Sequence, residues 1–242
     1  MNKLKLNAVK TKYMILGHRT VEVVNELKMG SAVIDRVNMI KYLGCVIDEK
    51  LTFNGNCDYV CKKLAKKVNF FGRVSNKLDK ATRILVYNTI IAPHIQYCST
   101  ILFLSNKTQL ERIQKLQNKC MKIILRKKWR THSNELLDEL DWLSVKQQIE
   151  KDVLVFIYKI RHNMLPSYLT NCFQSNEGRS YMLRNQGDLR LPLFRKSATQ
   201  RSLMFDGAKL YNELPSDVKL NDDLKSFKKN CVKFVKEKYR EL

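Results

Sequence analysis

The chain has 242 residues, 45 Lys and Arg against 23 Asp and Glu, a net charge of +22 and 44% hydrophobic residues. That hydrophobic share supports a packed core and excludes a wholly disordered chain, while the charge excess repels itself in a compact fold and calls for a polyanion as partner. No apolar run approaches the roughly 18 residues of a membrane span, and Met1 to Lys12 lacks the apolar stretch of a secretory signal.

Residues 1–52 read as β-rich. Tyr13 to Leu16 is a short apolar run closed by Gly17, residues 20–27 alternate around Val21, Val23 and Val24, and Ile40, Tyr42 and Leu43 lead through Gly44 into Cys45, Val46 and Ile47. Asn54-Gly55-Asn56 reads as a turn. A helix is then expected from Asp58 to about Leu78, with Val60, Cys61, Leu64, Val68 and Phe71 on one face and Lys62, Lys63, Lys66, Lys67 and Arg73 mostly on the other. Asp79 suits the cap of a helix over 80–91 that stops at Pro93, and a mostly buried helical segment follows over 94–104.

Residues 107–130 are the most informative stretch. Leu110, Ile113, Leu116, Gln117, Cys120, Ile123 and Ile124 recur at helical spacing, and the remainder is basic: Arg112, Lys115, Lys119, Lys122, Arg126, Lys127, Lys128 and Arg130, with Glu111 as the single acid. A solvated surface helix usually alternates signs to gain i,i+4 pairs, and this one does not. Apolar on one side and cationic on the other, it is built to lie along a polyanion; a merely basic surface is the alternative.

A short acidic helix is expected over 133–140, and Glu135, Asp138, Glu139 and Asp141 form the main acidic cluster of the mid-chain. Asp138 and Asp141 share a face that could hold a divalent ion, but a solvated acidic face or pairing with nearby lysines is the favoured reading. Ser144 with Gln147 forms a capping box that opens a long helix through Ile160. Residues 171–187 read as a loop, 189–194 as a strand, 205–214 as a short helix ended by Pro215, and 224–239 as a last helix with Leu224, Phe227, Cys231, Phe234 and Val235 inside. Seven scattered cysteines, with Cys57 and Cys61 lacking a second pair, exclude a recognisable zinc site and point to reduced thiols of an intracellular protein, nuclear or cytoplasmic and not secreted. No phosphate loop, dinucleotide fingerprint or nucleophile elbow is present.

Several stretches carry a family resemblance in their joint order: Leu6 to Lys12, Lys41 to Asp48, Leu85 to Asn88 followed by Pro93 to Ser99, Leu110 to Lys119, Leu165 to Leu169, and Leu210 to Pro215. Together they resemble, over almost the whole chain, the carboxy-terminal part of the reverse transcriptase of jockey-like non-LTR (LINE) retrotransposons. The resemblance implies that residues 6–12 end a palm, with Lys10 or Lys12 near the phosphates of an incoming nucleotide. It implies that Tyr42 to Asp48 is a primer-grip hairpin, with Gly44 allowing the tight turn, and that the helices over 58–130 form a thumb holding a template–primer duplex by its phosphates.

The family's catalytic Asp-Asp turn and its earlier metal-binding Asp would precede Leu6. The Asp-Asp pair present, Asp222-Asp223, stands before a helix, where it suits an N-cap. No catalytic or metal-binding residue is therefore expected here, Mg²⁺ is expected only with the missing palm, and an isolated chain is expected to be inactive.

The expected fold is α+β, mostly α: a small β-rich palm end and primer grip over 1–52 with an exposed sheet edge, a thumb-like bundle over 53–130, and a mainly helical domain over 131–242. The expected partners are RNA or an RNA–DNA hybrid and the missing amino-terminal palm and fingers, with no small-molecule substrate. The alternative is a stand-alone basic helical interaction module derived from a retroelement. A membrane-surface protein fits less well, because the apolar helix faces are needed for the core.

Overall fold

The computed structural model describes residues 7–16, 26–175, 188–193 and 202–240, and these are mainly helical. The amino-terminal part is β-structured but not one sheet. It holds three separate two-stranded pairs: β1 (Lys12–Tyr13) beside β4 (Asp35–Arg36), parallel; β2 (Lys28–Met29) with β3 (Ala32–Val33), antiparallel; and β5 (Met39–Tyr42) with β6 (Cys45–Asp48), antiparallel. The strand expected over 13–16 is only the two residues of β1, preceded by a 3-10 turn over Ala8–Lys10. Most of the strand expected over 20–27 lies outside the described residues.

The β5–β6 hairpin is the best-formed β element. Leu43 and Gly44 have φ of 44° and 85°, the pair of positive values that a tight two-residue turn needs. Cys45 and Val46 are buried against α1 (Asn54–Val74). Asp48 accepts hydrogen bonds from the Thr52 and Phe53 amides at 2.9 and 2.7 Å, and Phe53 takes a left-handed φ of 56°. This bend starts α1 before the expected Asp58. Asn54-Gly55-Asn56 is thus its first turn rather than a separate loop. Asn56 is 2% exposed and its Oδ1 accepts the Val46 amide at 3.1 Å, while a Cβ on Gly55 would come within 2.7 Å of Met39 Cε and 3.4 Å of Val46. Tertiary packing against the hairpin overrides the turn chemistry of these residues.

Asp79 caps α2 (Lys80–Val86) through the Thr82 amide at 3.1 Å. The helix does not stop at Pro93. A π-turn over Tyr87–Ile91 shifts the hydrogen-bond register, and the chain continues into α3 (Ala92–Gln96) with Pro93 in its first turn, where no N–H is required. The segment expected over 94–104 is split at Cys98, φ 53°, before α4 (Ser99–Leu102). Asn106 caps α5 (Lys107–Leu125) at the Gln109 amide, 3.0 Å. Arg126 ends it in the left-handed region, so the helix is five residues shorter than the expected 107–130.

The short acidic helix is α6 (Ser133–Leu140). The capping box at Ser144 is formed, with Gln147 Oε1 on the Ser144 amide at 2.8 Å, and opens α7 (Val145–Arg161). A 3-10 turn over Ser167–Cys172 begins the expected loop, of which residues 176–187 lie outside the described set. The strand expected over 189–194 is not formed among the described residues. Leu189 makes a single bridge to Ser175, and its N–H and C=O are taken by the Asn212 side chain at 2.8 and 2.9 Å instead of a neighbouring strand. A π-turn over Leu203–Gly207 leads into α8 (Ala208–Asn212); α9 (Ser216–Lys219) follows Pro215. Asp223 caps α10 (Leu224–Lys238) at the Ser226 amide, 2.7 Å.

Two apolar cores share one helix. Leu64, Val68 and Phe71 of α1 pack with Ile113, Cys120 and Ile124 of α5 in the first; Leu154, Tyr158, Tyr211, Phe227, Cys231 and Val235 build the second. Helix α7 supplies Val145 and Ile149 to the first and residues 153–160 to the second. Gln117, placed on the apolar face, is buried with its amide donating to the Leu143 C=O at 3.0 Å. Arg83, 6% exposed, donates to the Ile123 C=O near the end of α5 at 2.8 Å, where a cation complements the helix dipole.

Candidate nucleic-acid interface

Helices α1 and α5 lie side by side and run the same way. Four polar contacts cross between them and their ends in register: Asn106 donates to Asn54 Oδ1 at 3.3 Å, Arg112 pairs with Asp58, Lys119 donates to Asn69 Oδ1 at 2.9 Å, and Arg126 reaches the Asn76 C=O at 3.5 Å. Residues 58, 62, 66, 69 and 73 follow one another at spacings of three or four along α1, as do 112, 115, 119, 122 and 126 along α5 and its end. The seam between the helices is therefore bordered by Lys62, Lys66 and Arg73 on one side and Arg112, Lys115 and Lys119 on the other, all exposed. Asp58 is the acid on this seam. Among the described residues Lys62, Lys66, Arg73 and Lys115 have no ion pair. Nineteen residues of α5 extend about 28 Å.

Lys63 and Lys67 lie one step round α1, toward the hairpin and α3. Lys63 Nζ and Lys41 Nζ stand 4.6 and 4.7 Å from the centre of the Tyr59 ring, so the phenol ties the hairpin to the cations of α1. Contact with Lys41, and then with Lys63, holds the Tyr59 hydroxyl below the ordinary phenol range. Burial, followed by the positive field of Lys67 and Lys63, lowers the His94 imidazole from 6.5. At the hairpin tip Tyr97 donates its hydroxyl to the Leu43 C=O, and a Cβ on Gly44 would lie 3.3 Å from Tyr97 Cε1. Tyr42 beside that turn is 61% exposed.

The remaining sequence candidates are placed differently. Lys122 turns from the seam to the Trp129 C=O, and Lys127 pairs with Glu139 at 2.9 Å. Lys128 is exposed. Arg126, Lys127 and Lys128 follow α5 rather than continue it. Lys10 closes the first 3-10 turn and Lys12 pairs with Asp35; among the described residues no ion pair or hydrogen bond joins either to α1 or α5. Lys41, Tyr59, Arg73 and His94 border this surface, and Trp129 lies beyond its end; sequence reading does not single them out as binding residues. Tyr59 stands one helical turn before Lys63, and Trp129 stands between two cations; those were the available signals.

Two of the four mid-chain acids, Glu139 and Asp141, are engaged with cations. Asp141, at the left-handed end of α6, pairs with Lys236, whose ammonium lowers its carboxyl below the usual range. Glu139 takes Lys127. Among the described residues no three His, Cys, Asp or Glu converge as a metal site, and no helix is long and apolar enough to cross a membrane. All seven cysteines are free thiols.

No family model and no solved structure matches the chain. Named proteins do. A probable RNA-directed DNA polymerase from transposon X-element of Drosophila melanogaster is 30% identical over 117 residues, 47% of this chain and 13% of that protein. The RNA-directed DNA polymerase from mobile element jockey of Drosophila funebris is 22% identical over 143 residues, 58% of this chain and 15% of the relative. A probable RNA-directed DNA polymerase from transposon BS of Drosophila melanogaster is 24% identical over 164 residues, 66% of this chain and 18% of the relative. The matched stretches thus fall short of the whole chain and span less than a fifth of each relative. Over those stretches, the chain is similar to the RNA-directed DNA polymerases of jockey-type non-LTR retrotransposons, the group its motifs resemble.

Proposed function

We propose that this chain is a carboxy-terminal segment of a retrotransposon RNA-directed DNA polymerase, and that it holds RNA or an RNA–DNA hybrid by its phosphates. The observation that carries the reading is the two-sided cationic seam. Phosphate contacts need cations in a row and no base readout; Lys62, Lys66, Arg73 and Lys115, with no ion pair among the described residues, and Lys119, which gives one N–H to Asn69, supply them on two helices fixed by a common core. On this reading α1 and α5 belong to the thumb, and the β5–β6 hairpin, tied to α1 through Tyr59 and Asn56, is the primer grip. Lys10 or Lys12 would serve the incoming nucleotide, and the palm and fingers, with their Mg²⁺, would be the partners inside the cell. Chemistry is assigned to those partners and binding to the described residues.

The test is a salt titration of the full chain against a blunt RNA–DNA hybrid. If about six cations meet phosphates, log K falls with log salt with a slope of about −5. Exchanging Lys115 and Lys119 for Glu should weaken binding and flatten the slope by about 2. Affinity that ignores salt, or a slope unchanged in the double variant, counts against the seam and favours the protein-interaction alternative.

A further inference from the structure

Trp129 is 76% exposed, more than any other described aromatic residue. It lies in the run Arg126-Lys127-Lys128-Trp129-Arg130 that follows α5. The backbone of this run is tied down. The Lys127 amide donates to the Lys122 C=O at 3.1 Å, the Thr131 amide donates to the Lys128 C=O at 3.1 Å, and the Lys122 ammonium holds the Trp129 C=O. Lys127 is paired to Glu139 on α6. The guanidinium of Arg130 lies 5.1 Å from the indole centre, which covers part of the ring and leaves the residue largely in water. The core makes no use of this indole, whereas Trp142 stacks on Tyr87 at 4.2 Å. An indole held out into solvent among cations has the composition of a stacking platform for nucleic-acid bases.

Its position says which base. Arg126 marks the end of the seam, where it meets Asn76, and Trp129 comes three residues later. A duplex lying along α1 and α5 would reach this run at one end of the seam. We infer that Trp129 stacks on an unpaired base of the strand that leaves the duplex at this end, with Lys128 and Arg130 beside its phosphates. The inference rests on the seam as the duplex site. It adds a subsite for single-stranded nucleic acid that the phosphate contacts do not supply. Arg126, Lys128 and Arg130, which have no ion pair among the described residues and flank Trp129 in sequence, disfavour an apolar protein surface as the occupant.

The experiment compares the full chain on a blunt RNA–DNA hybrid and on the same hybrid carrying a single-stranded overhang of about six nucleotides. The overhang is placed at either end and made once of RNA and once of DNA. Affinity and tryptophan fluorescence are both read. One overhang should tighten binding by roughly tenfold and quench the fluorescence. Trp129→Ala should lose the gain and the quenching while binding the blunt hybrid as before. Trp129→Phe should keep most of the gain, since every aromatic ring can stack. An overhang advantage that survives Trp129→Ala overturns the inference, as does a wild-type chain that binds the blunt hybrid and gains nothing from any overhang. A gain confined to one sugar type means hydroxyl or groove readout and also overturns stacking as its source. Failure to bind even the blunt hybrid overturns the seam itself and this subsite with it, and so is distinguishable from failure of the subsite alone.

Discussion

Helices α5 and α10 look alike as sequences and stand in different surroundings. Both carry an apolar face and a lysine-rich face. Around α10 the fold supplies acids: Lys236 pairs with Asp141, and Lys238 lies 2.7 Å from Glu213 and 3.6 Å from Glu150, a carboxylate that also accepts the Tyr239 hydroxyl. Around α5 the fold supplies a second cationic helix, with Asp58 the acid on the shared seam. A row of cations beside another row repels itself and is stabilised by an anion; on α10 the acids reach Lys236 and Lys238 of the last turn, while Lys225, Lys228, Lys229 and Lys233 have no ion pair among the described residues. Local charge pattern does not decide whether a basic helix is a binding surface. The neighbouring element does.

The largest expected effect tests that difference directly. Replacing Lys62, Lys66, Lys115 and Lys119 together by Glu should weaken hybrid binding on the order of a thousandfold at low salt, about 4 kcal/mol. Replacing the exposed Lys225, Lys228, Lys229 and Lys233 of α10 by Glu changes net charge equally and should cost less than about tenfold. Equal losses in the two variants, measured by fluorescence anisotropy, would show that binding follows net charge and not the seam. Next in size is Ile149→Ala. Ile149 is 1% exposed on the helix that both cores share, and truncation there should cost about 3 kcal/mol. Because α7 joins the cores, urea unfolding should show one transition by circular dichroism and by Trp142 fluorescence alike. Two separate transitions would make the α5 and α10 regions independent units.

The features legible in sequence are those set by near neighbours along the chain. Asp79, Ser144 and Asp223 cap helices where a short polar residue precedes an apolar periodicity, and the buried faces of α1, α5, α7 and α10 follow from spacing alone. The misread features depend on contacts far apart in sequence. Asn54-Gly55-Asn56 has turn composition but becomes helix because the hairpin needs the Asn56 carboxamide at Val46 and the space at Gly55. Pro93 reads as a stop, yet the π-turn before it removes the need for its N–H. Leu189 is strand-like in pattern, but Asn212 satisfies its backbone. For the interface, the residue types on α1 and α5 were readable one helix at a time. That the helices are parallel, in register and adjacent was not, since periodicity names the buried face and not the element it faces.

A smaller effect probes whether the hairpin shares in the interface. Gly44 has φ 85°, and a side chain there would stand 3.3 Å from Tyr97. Gly44→Ala should cost about 1–2 kcal/mol of stability through left-handed strain. If the hairpin contributes to binding through Lys41 and Tyr42, the variant should also lose roughly fivefold in hybrid affinity at a temperature where it remains folded. Loss of stability with unchanged affinity would confine binding to α1 and α5.

The smallest effect concerns protons. Burial and the field of Lys67 and Lys63 lower the His94 pKa from 6.5. With the folded value below the unfolded one, the unfolded chain holds the extra proton, so stability falls as pH drops below about 6.5 and levels off below the folded value. Binding reverses part of this. Phosphates beside Lys63 and Lys67 offset their field and raise the His94 pKa, so the complex takes up a proton and affinity rises as pH falls through the window between the free and bound values. Burial, the larger cause, is not relieved by a ligand, so the gain is small and confined to that window. His94→Gln should flatten that dependence and leave affinity at the higher pH nearly unchanged. A pH profile identical in the two proteins would place the phosphates away from the Lys63–Lys67 side of α1 and leave the α1–α5 seam as the whole of the binding surface.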